Sequence, residues 1–193
     1  MRSALAAGNH TMLPETRTDR RPNLVLIGFM GTGKSTIGRL CARRLDMEFR
    51  DSDALIEQRT NLSIPQIFAE KGEPWFRRIE RIIIQELAAH RGLVIATGGG
   101  VPLDSDNVEL LRASGLLVLL TAHPDVILER VGPVHRRPLL AQGADPKERI
   151  RALLEEREAA YRKAAHCVVD TSHSSPEESA EKVVLLYKVT QGG

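Results

Sequence analysis

Apolar residues fall along this chain in two rhythms: short unbroken runs, and longer stretches with helical spacing. The runs at 24–27, 93–96, 116–120 and 167–169 are the length of strands buried on both faces. A further strand leads through Phe49 into Asp51 and Asp53. Between them, residues 34–45 space Ile37, Leu40, Cys41 and Leu45 as one helical face, and residues 77–91 do the same with Ile79, Ile82, Ile83 and Leu87. Pro124 opens a short helix, its fixed φ suiting a first turn. Helices are also expected over 145–165, a long charged segment, and over 176–189. Strands that alternate with helices pair in parallel, which predicts a doubly wound α/β sheet with helices on both faces. Such sheets bind ligands beyond the carboxyl ends of their strands. Gly28, the Asp51/Asp53 pair, Gly98-Gly99-Gly100 and Asp170 each follow an expected strand, so they belong to one rim and one site.

Composition narrows this picture without changing it. The 193 residues, 42% hydrophobic and 27% charged, fit one domain with a sizeable core. A net charge of +2, with no basic stripe interleaved with aromatics, speaks against nucleic acid as a partner. No apolar run approaches the roughly 20 residues that cross a bilayer, so no membrane partner is expected. The two cysteines, Cys41 and Cys167, lie in apolar patterns and read as buried thiols of a cytoplasmic protein. Six scattered histidines give no metal-ligand spacing. Residues 1–21 have no apolar period and read as a flexible tail; 22–190 form the domain. A targeting peptide is the rival reading of the tail, and Glu15 and Asp19 count against it.

The chemistry starts at Gly28-Phe29-Met30-Gly31-Thr32-Gly33-Lys34-Ser35, a complete G-x-x-x-x-G-K-[ST] phosphate loop between a strand and a helix. Its glycines let successive N–H groups turn toward phosphate oxygens, and the helix after Gly33 adds its positive end. Lys34 would neutralise the β and γ phosphates, the Ser35 hydroxyl would coordinate Mg2+, and Thr36 would add a phosphate contact. A chance match to four fixed positions arises in about 1% of chains this long, so a bare glycine turn is the poorer reading.

Asp51-Ser52-Asp53 places two carboxylates two residues apart, on one side of an extended chain. One can serve magnesium while the other orients an attacking hydroxyl and accepts its proton. A solvated turn is the alternative. The triple glycine allows close approach of a small molecule, or else simply makes a tight turn. The segment 131–143, with two prolines and two glycines, reads as a mobile lid. Arg77, Arg137 and Arg162 could grip carboxylate or phosphate oxygens with their planar forks, or only solvate a surface.

Taken together, these residues resemble shikimate kinase from about Asn23 to near residue 180. The resemblance rests on the phosphate loop with Ser35-Thr36, Phe49-Arg50-Asp51-Ser52-Asp53, Gly72-Glu73-Pro74-Trp75-Phe76-Arg77-Arg78-Ile79-Glu80, the triple glycine, Arg137-Pro138-Leu139-Leu140 and Tyr161-Arg162. It implies a five-stranded parallel sheet of the nucleoside-monophosphate-kinase type with a lid, acting as a monomer on ATP and shikimate. Asp53 would bind the ring hydroxyls and act as base. Arg77 and Arg162 would grip the substrate carboxylate, with Gly98, Gly99 and Gly100 lining the same pocket and Glu80 holding Arg77. Arg137 would reach from the lid to both substrates. Arg130 would pack on adenine, the loop before Pro176 would close its other side, and Ser35 and Asp51 would be the magnesium partners.

The expected activity is therefore transfer of the ATP γ-phosphoryl group to the 3-hydroxyl of shikimate. Another small-acid kinase, such as a gluconate kinase, shares the loop and the size. A catalytically silent nucleotide-binding module would be expected to lack Lys34, Asp53 or an acceptor arginine, and all are present.

Overall fold

The computed structural model describes residues 21–131 and 145–192. Five parallel strands lie in the order β2-β3-β1-β4-β5: β1 (Asn23–Ile27), β2 (Glu48–Asp51), β3 (Leu93–Ala96), β4 (Gly115–Thr121) and β5 (Cys167–Asp170). The central strand β1 runs Leu26 beside Ala96 on one side and Val118 on the other. All five of its residues are buried. Alternation along the pleat divides them between two cores.

Val25 and Ile27 join Leu117, Leu119, Ile83 and Leu87 on one face. That face is covered by α2 (Ser52–Thr60), α4 (Glu73–Ala89), α5 (Ser105–Ser114), α6 (Pro124–Val131) and α7 (Pro146–Ala164), with α3 (Ile64–Lys71) packed on α4. Leu24 and Leu26 face the other way, with Val118, Leu120, Ile37, Cys41, Val183 and Tyr187. There α1 (Lys34–Leu45) and α8 (Pro176–Gln191) lie against each other and the sheet. Each Leu or Ile sealed in this way contributes about 1.5–3 kcal/mol relative to exposure. These layers fix the strand ends on which the site is built.

Every expected strand and helix is present, most within two residues. The helix expected from 77 begins earlier, at Glu73, because Gly72 (φ 78°) turns the chain and Pro74 occupies its first turn. Arg77 therefore sits within the helix. Helices α2, α3 and α5 are additions to the sequence reading. Arg21, assigned by sequence to the tail, is fastened to the domain: its guanidinium donates to the carbonyls of Leu45 (2.7 Å) and Asp46 (3.0 Å). Residues 1–20 and most of the expected lid, with Arg137, lie outside the described residues. Among the described residues, no helix is long and apolar enough to cross a membrane.

Candidate active site

Two cavities open at the carboxyl ends of the strands. One, about 540 Å³, runs from the phosphate loop to the start of α8 and is lined by Gly31, Gly33, Lys34, Ser35, Thr36, Asp51, Arg130, Thr171 and Pro176. The other, about 380 Å³, lies between the triple glycine, α2, α3, α4 and α7. Met30, Asp53 and Gly99 line both. The cavities therefore meet at Asp53, where a group held in one can reach a group held in the other.

The loop between β1 and α1 has the shape that its glycines permit. Gly31 (φ 77°) and Gly33 (φ 91°) take left-handed backbone that side chains resist. At Gly28 a Cβ would run into the carbonyl of Leu120. Thr32 is buried and donates inward to the Phe29 carbonyl at 2.8 Å, bracing the loop from behind. Lys34 Nζ folds back to the same carbonyl at 2.7 Å. Its ammonium thus sits over the mouth of an anion cradle headed by the first turn of α1.

Asp51 and Asp53 come together differently from the sequence expectation. The strand stops at Asp51, which is the N-cap of α2; its Oδ1 accepts from the N–H groups of Asp53 (3.0 Å) and Ala54 (3.3 Å). A helix turn, not strand alternation, sets the pair's spacing. The other oxygen, Asp51 Oδ2, accepts from Ser35 Oγ at 2.6 Å, so a hydroxyl and a carboxylate meet beside the cradle. Two hard oxygen donors next to a phosphate site fit magnesium, which takes few protein ligands and completes its shell with phosphate and water. Among the described residues, no cluster of three or more His, Cys, Asp or Glu forms a protein-only metal cage.

Asp53 is held at about 6, well above its ordinary 3.8. Burial is the main cause, the negative charges of Asp51, Glu80 and Glu57 add to it, and Lys34 pulls the other way. A carboxyl poised there is ionised at neutral pH yet basic enough to take a proton from an alcohol in the transition state.

On the acceptor side, Arg77 Nη1 donates to Glu80 at 2.8 Å, and Nη2 and Nε donate to Glu73 at 2.9 and 3.2 Å. Glu80 is buried. Burial alone would lower the Arg77 pKa, but the two carboxylates outweigh it and raise it. Glu80 thus holds the arginine in place. The arginine lies across Gly100, where any Cβ would overlap the guanidinium. Gly100 has φ −87° and ψ −19°, a backbone open to every residue, so a side chain there would be opposed first by the Arg77 guanidinium and not by backbone strain. Gly100→Ala is expected to keep the fold and ATP KM while raising acceptor KM at least about tenfold, through a displaced Arg77. Steady-state kinetics with each substrate varied would show it, and an unchanged acceptor KM would remove Arg77 from the pocket.

The second gripping arginine needs correction. Arg162 is not on the cavity wall; its side chain is 60% exposed and pairs with Glu158 at 2.8 Å along the surface of α7. Arg157 lines the cavity instead and is 7% exposed. Five residues apart, the two point about 140° away from each other around the helix. The signal for Arg157 was in the pattern: the buried stripe of α7 is Ile150, Leu153, Arg157, Tyr161 and Ala164, and a charged residue in such a stripe calls for a partner. Arg157 lies over the ring of Phe29, 5.8 Å to its centroid, and its buried Nε meets no hydrogen-bond partner among the described residues. Tyr161, one turn along, donates to the Gly99 carbonyl at 2.8 Å and ties α7 to the glycine turn.

Arg130 and Pro176 both stand on the wall of the larger cavity. Gly98, Gly99 and Gly100 all line the acceptor cavity, and the Gly98 N–H donates to Ser52 Oγ at 2.9 Å.

Known proteins match this arrangement. The shikimate kinase family model matches residues 30–188. A shikimate kinase of Pelotomaculum thermopropionicum is 48% identical over 86% of this chain and 95% of its own. Another, from Caldanaerobacter subterraneus subsp. tengcongensis, is 44% identical over 88% and 98%. The solved structure of shikimate kinase from Acinetobacter baumannii in complex with shikimate superposes with a TM-score of 0.85 at 37% identity, covering 91% of this chain and 97% of that one.

Proposed function

The chain belongs to the shikimate kinase family, and we propose that its two joined cavities hold ATP and shikimate so that the shikimate 3-hydroxyl meets the γ-phosphate beside Asp53. The observation that carries this reading is the position of Asp53 on the wall shared by both cavities. ATP lies along the larger one, its phosphates in the cradle from Gly31 to Thr36 and its base toward Arg130 and Pro176. Lys34 neutralises charge that builds on the transferred group. Ser35 and Asp51 would hold magnesium, which when bound with ATP draws charge from the phosphate oxygens.

Shikimate occupies the smaller cavity. Its carboxylate is gripped by Arg77 and Arg157, whose forks suit a planar anion. The Asp53 carboxylate accepts from the reacting hydroxyl and takes its proton as the oxygen–phosphorus bond forms and the bond from the γ-phosphorus to the bridging oxygen of ADP breaks. The products are ADP and shikimate 3-phosphate. Positioning and charge neutralisation do most of the work. The same reading takes the protein as a cytoplasmic monomer.

An assay of ADP release from ATP, run with shikimate, with gluconate and without acceptor, tests the assignment. Turnover with shikimate alone is expected. Equal turnover with gluconate would make the acceptor reading wrong, and ATP binding with no turnover on any acceptor would leave only a nucleotide module.

The raised pKa of Asp53 adds a pH signature. With both substrates below saturation, kcat/KM is expected to be level near neutrality and to fall about tenfold per pH unit below about 6, as Asp53 takes a proton in the free enzyme. A profile that stays level to pH 5 would exclude Asp53 as the ionised group that catalysis needs.

A further inference from the structure

Thr171 sits at the end of β5, on the wall of the larger cavity, and is 1% exposed. Its hydroxyl accepts from Arg130 Nη1 at 3.0 Å, and its carbonyl accepts from Arg130 Nη2 at 2.7 Å. The hydroxyl hydrogen faces two carbonyls, that of Thr121 at 3.0 Å and that of Thr32, within the phosphate loop, at 3.2 Å. The Thr171 N–H also donates to the Thr121 carbonyl, at 2.9 Å. One small residue thus joins the sheet, the phosphate loop and the cavity arginine.

Two donors on two acceptors of one residue fix a plane, not just a point. The Arg130 guanidinium is held by its end, on an exposed residue of the cavity wall. Stacking and cation–π attraction depend on that orientation, and a charge alone does not supply it. Without the anchor, an arginine on an exposed helix end would sample many rotamers and lose entropy on each binding event.

We infer that Thr171 is a positioning residue for the nucleobase: it sets the plane of Arg130 and ties that plane to the phosphate loop, so that base and phosphates are recognised in one fixed relation. The inference rests on the reading of Arg130 as the residue that packs on adenine.

The test is a set of four variants in the ADP-release assay. Thr171→Val keeps the shape and removes the hydroxyl; ATP KM is expected to rise about 5- to 20-fold, with shikimate KM and kcat within about twofold of the parent. Thr171→Ser returns the hydroxyl and is expected to restore ATP KM. Arg130→Lys, at an exposed position where folding is not at stake, keeps the charge without the plane and is expected to raise ATP KM by a similar factor. In Arg130→Ala combined with Thr171→Val, ATP KM is expected to equal that of Arg130→Ala alone, because Thr171 acts through Arg130.

Factors that multiply in the double variant would overturn the inference, as would an Arg130→Lys enzyme with normal ATP KM. So would a Thr171→Val enzyme in which both KM values rise together, the mark of a merely structural role. If Arg130→Ala leaves ATP KM unchanged, the adenine reading and this inference fall together, while shikimate-dependent turnover would still stand.

Discussion

Asp53→Asn is expected to lower kcat by about 10²- to 10⁴-fold while making the folded protein more stable at neutral pH. The first effect follows from chemistry. The amide keeps the size of the carboxylate and can still meet a hydroxyl, but it cannot take the proton that the attacking oxygen must lose. Asp53 stands where the two cavities meet, with Lys34 close enough to pull its pKa down, so no other carboxylate replaces it there without a shift of the chain. Single-turnover kinetics with saturating substrates would check the step itself. A variant with normal turnover would leave Asp53 a binding residue at most.

The second effect has a defined pH window. The Asp53 carboxyl titrates at about 6 in the folded chain and at its ordinary 3.8 when exposed. Between those values the folded state binds more protons than the unfolded one, so stability falls as pH rises from about 4 to about 6 and stays reduced above. Asparagine carries no such penalty. After allowance for water in the open cavities, the gain at pH 7.5 is about 1–2 kcal/mol, or about 3–6 °C in Tm for a chain of this size. At pH 4 both proteins carry a neutral side chain there and the difference is expected to vanish. Thermal melts at the two pH values separate this reading from ordinary damage: a variant that loses both activity and Tm would show that the charge supports the fold.

Burial and backbone demand decide which parts of the molecule could be read from the chain. The β1, β3 and β4 strands are unbroken apolar runs because both of their faces are covered, and helix α1 shows one clean apolar face. The phosphate loop was legible because every glycine in it is needed by the backbone. Helices α2, α3 and α5 were not, for separate reasons. In α2 only Ser52 and Ile56 are buried, too few to mark a period. Pro65 in α3 looks like a breaker, yet it falls in the first turn, where it is harmless, and the Ser63/Gln66 capping box was the better sign. Helix α5 begins at an Asp104 cap directly after a proline turn and buries only Asn107, Leu111 and Ser114. The Asp51/Asp53 pair was found by residue type, although its geometry comes from a helix cap that strand alternation could not anticipate.

Arg157→Ala is expected to lower kcat/KM for shikimate by about 10²-fold, mostly through KM, while leaving ATP KM unchanged. A charged fork on the buried stripe of α7, with an Nε that no group among the described residues satisfies, is costly unless a ligand completes it. Under the proposed function shikimate would supply a carboxylate to that cavity, whose wall also carries Arg77 from α4. Arg157→Lys is expected to recover only part of the loss, since an ammonium keeps the charge but cannot make paired bonds. Arg162→Ala provides the contrast, because its pair with Glu158 is exposed and such pairs contribute about 0–1 kcal/mol; activity within twofold of the parent is expected. Shikimate KM for the three variants decides between the two arginines. If Arg162→Ala raised it and Arg157→Ala did not, the carboxylate would have to be held at the surface of α7, outside the cavity that Asp53 serves.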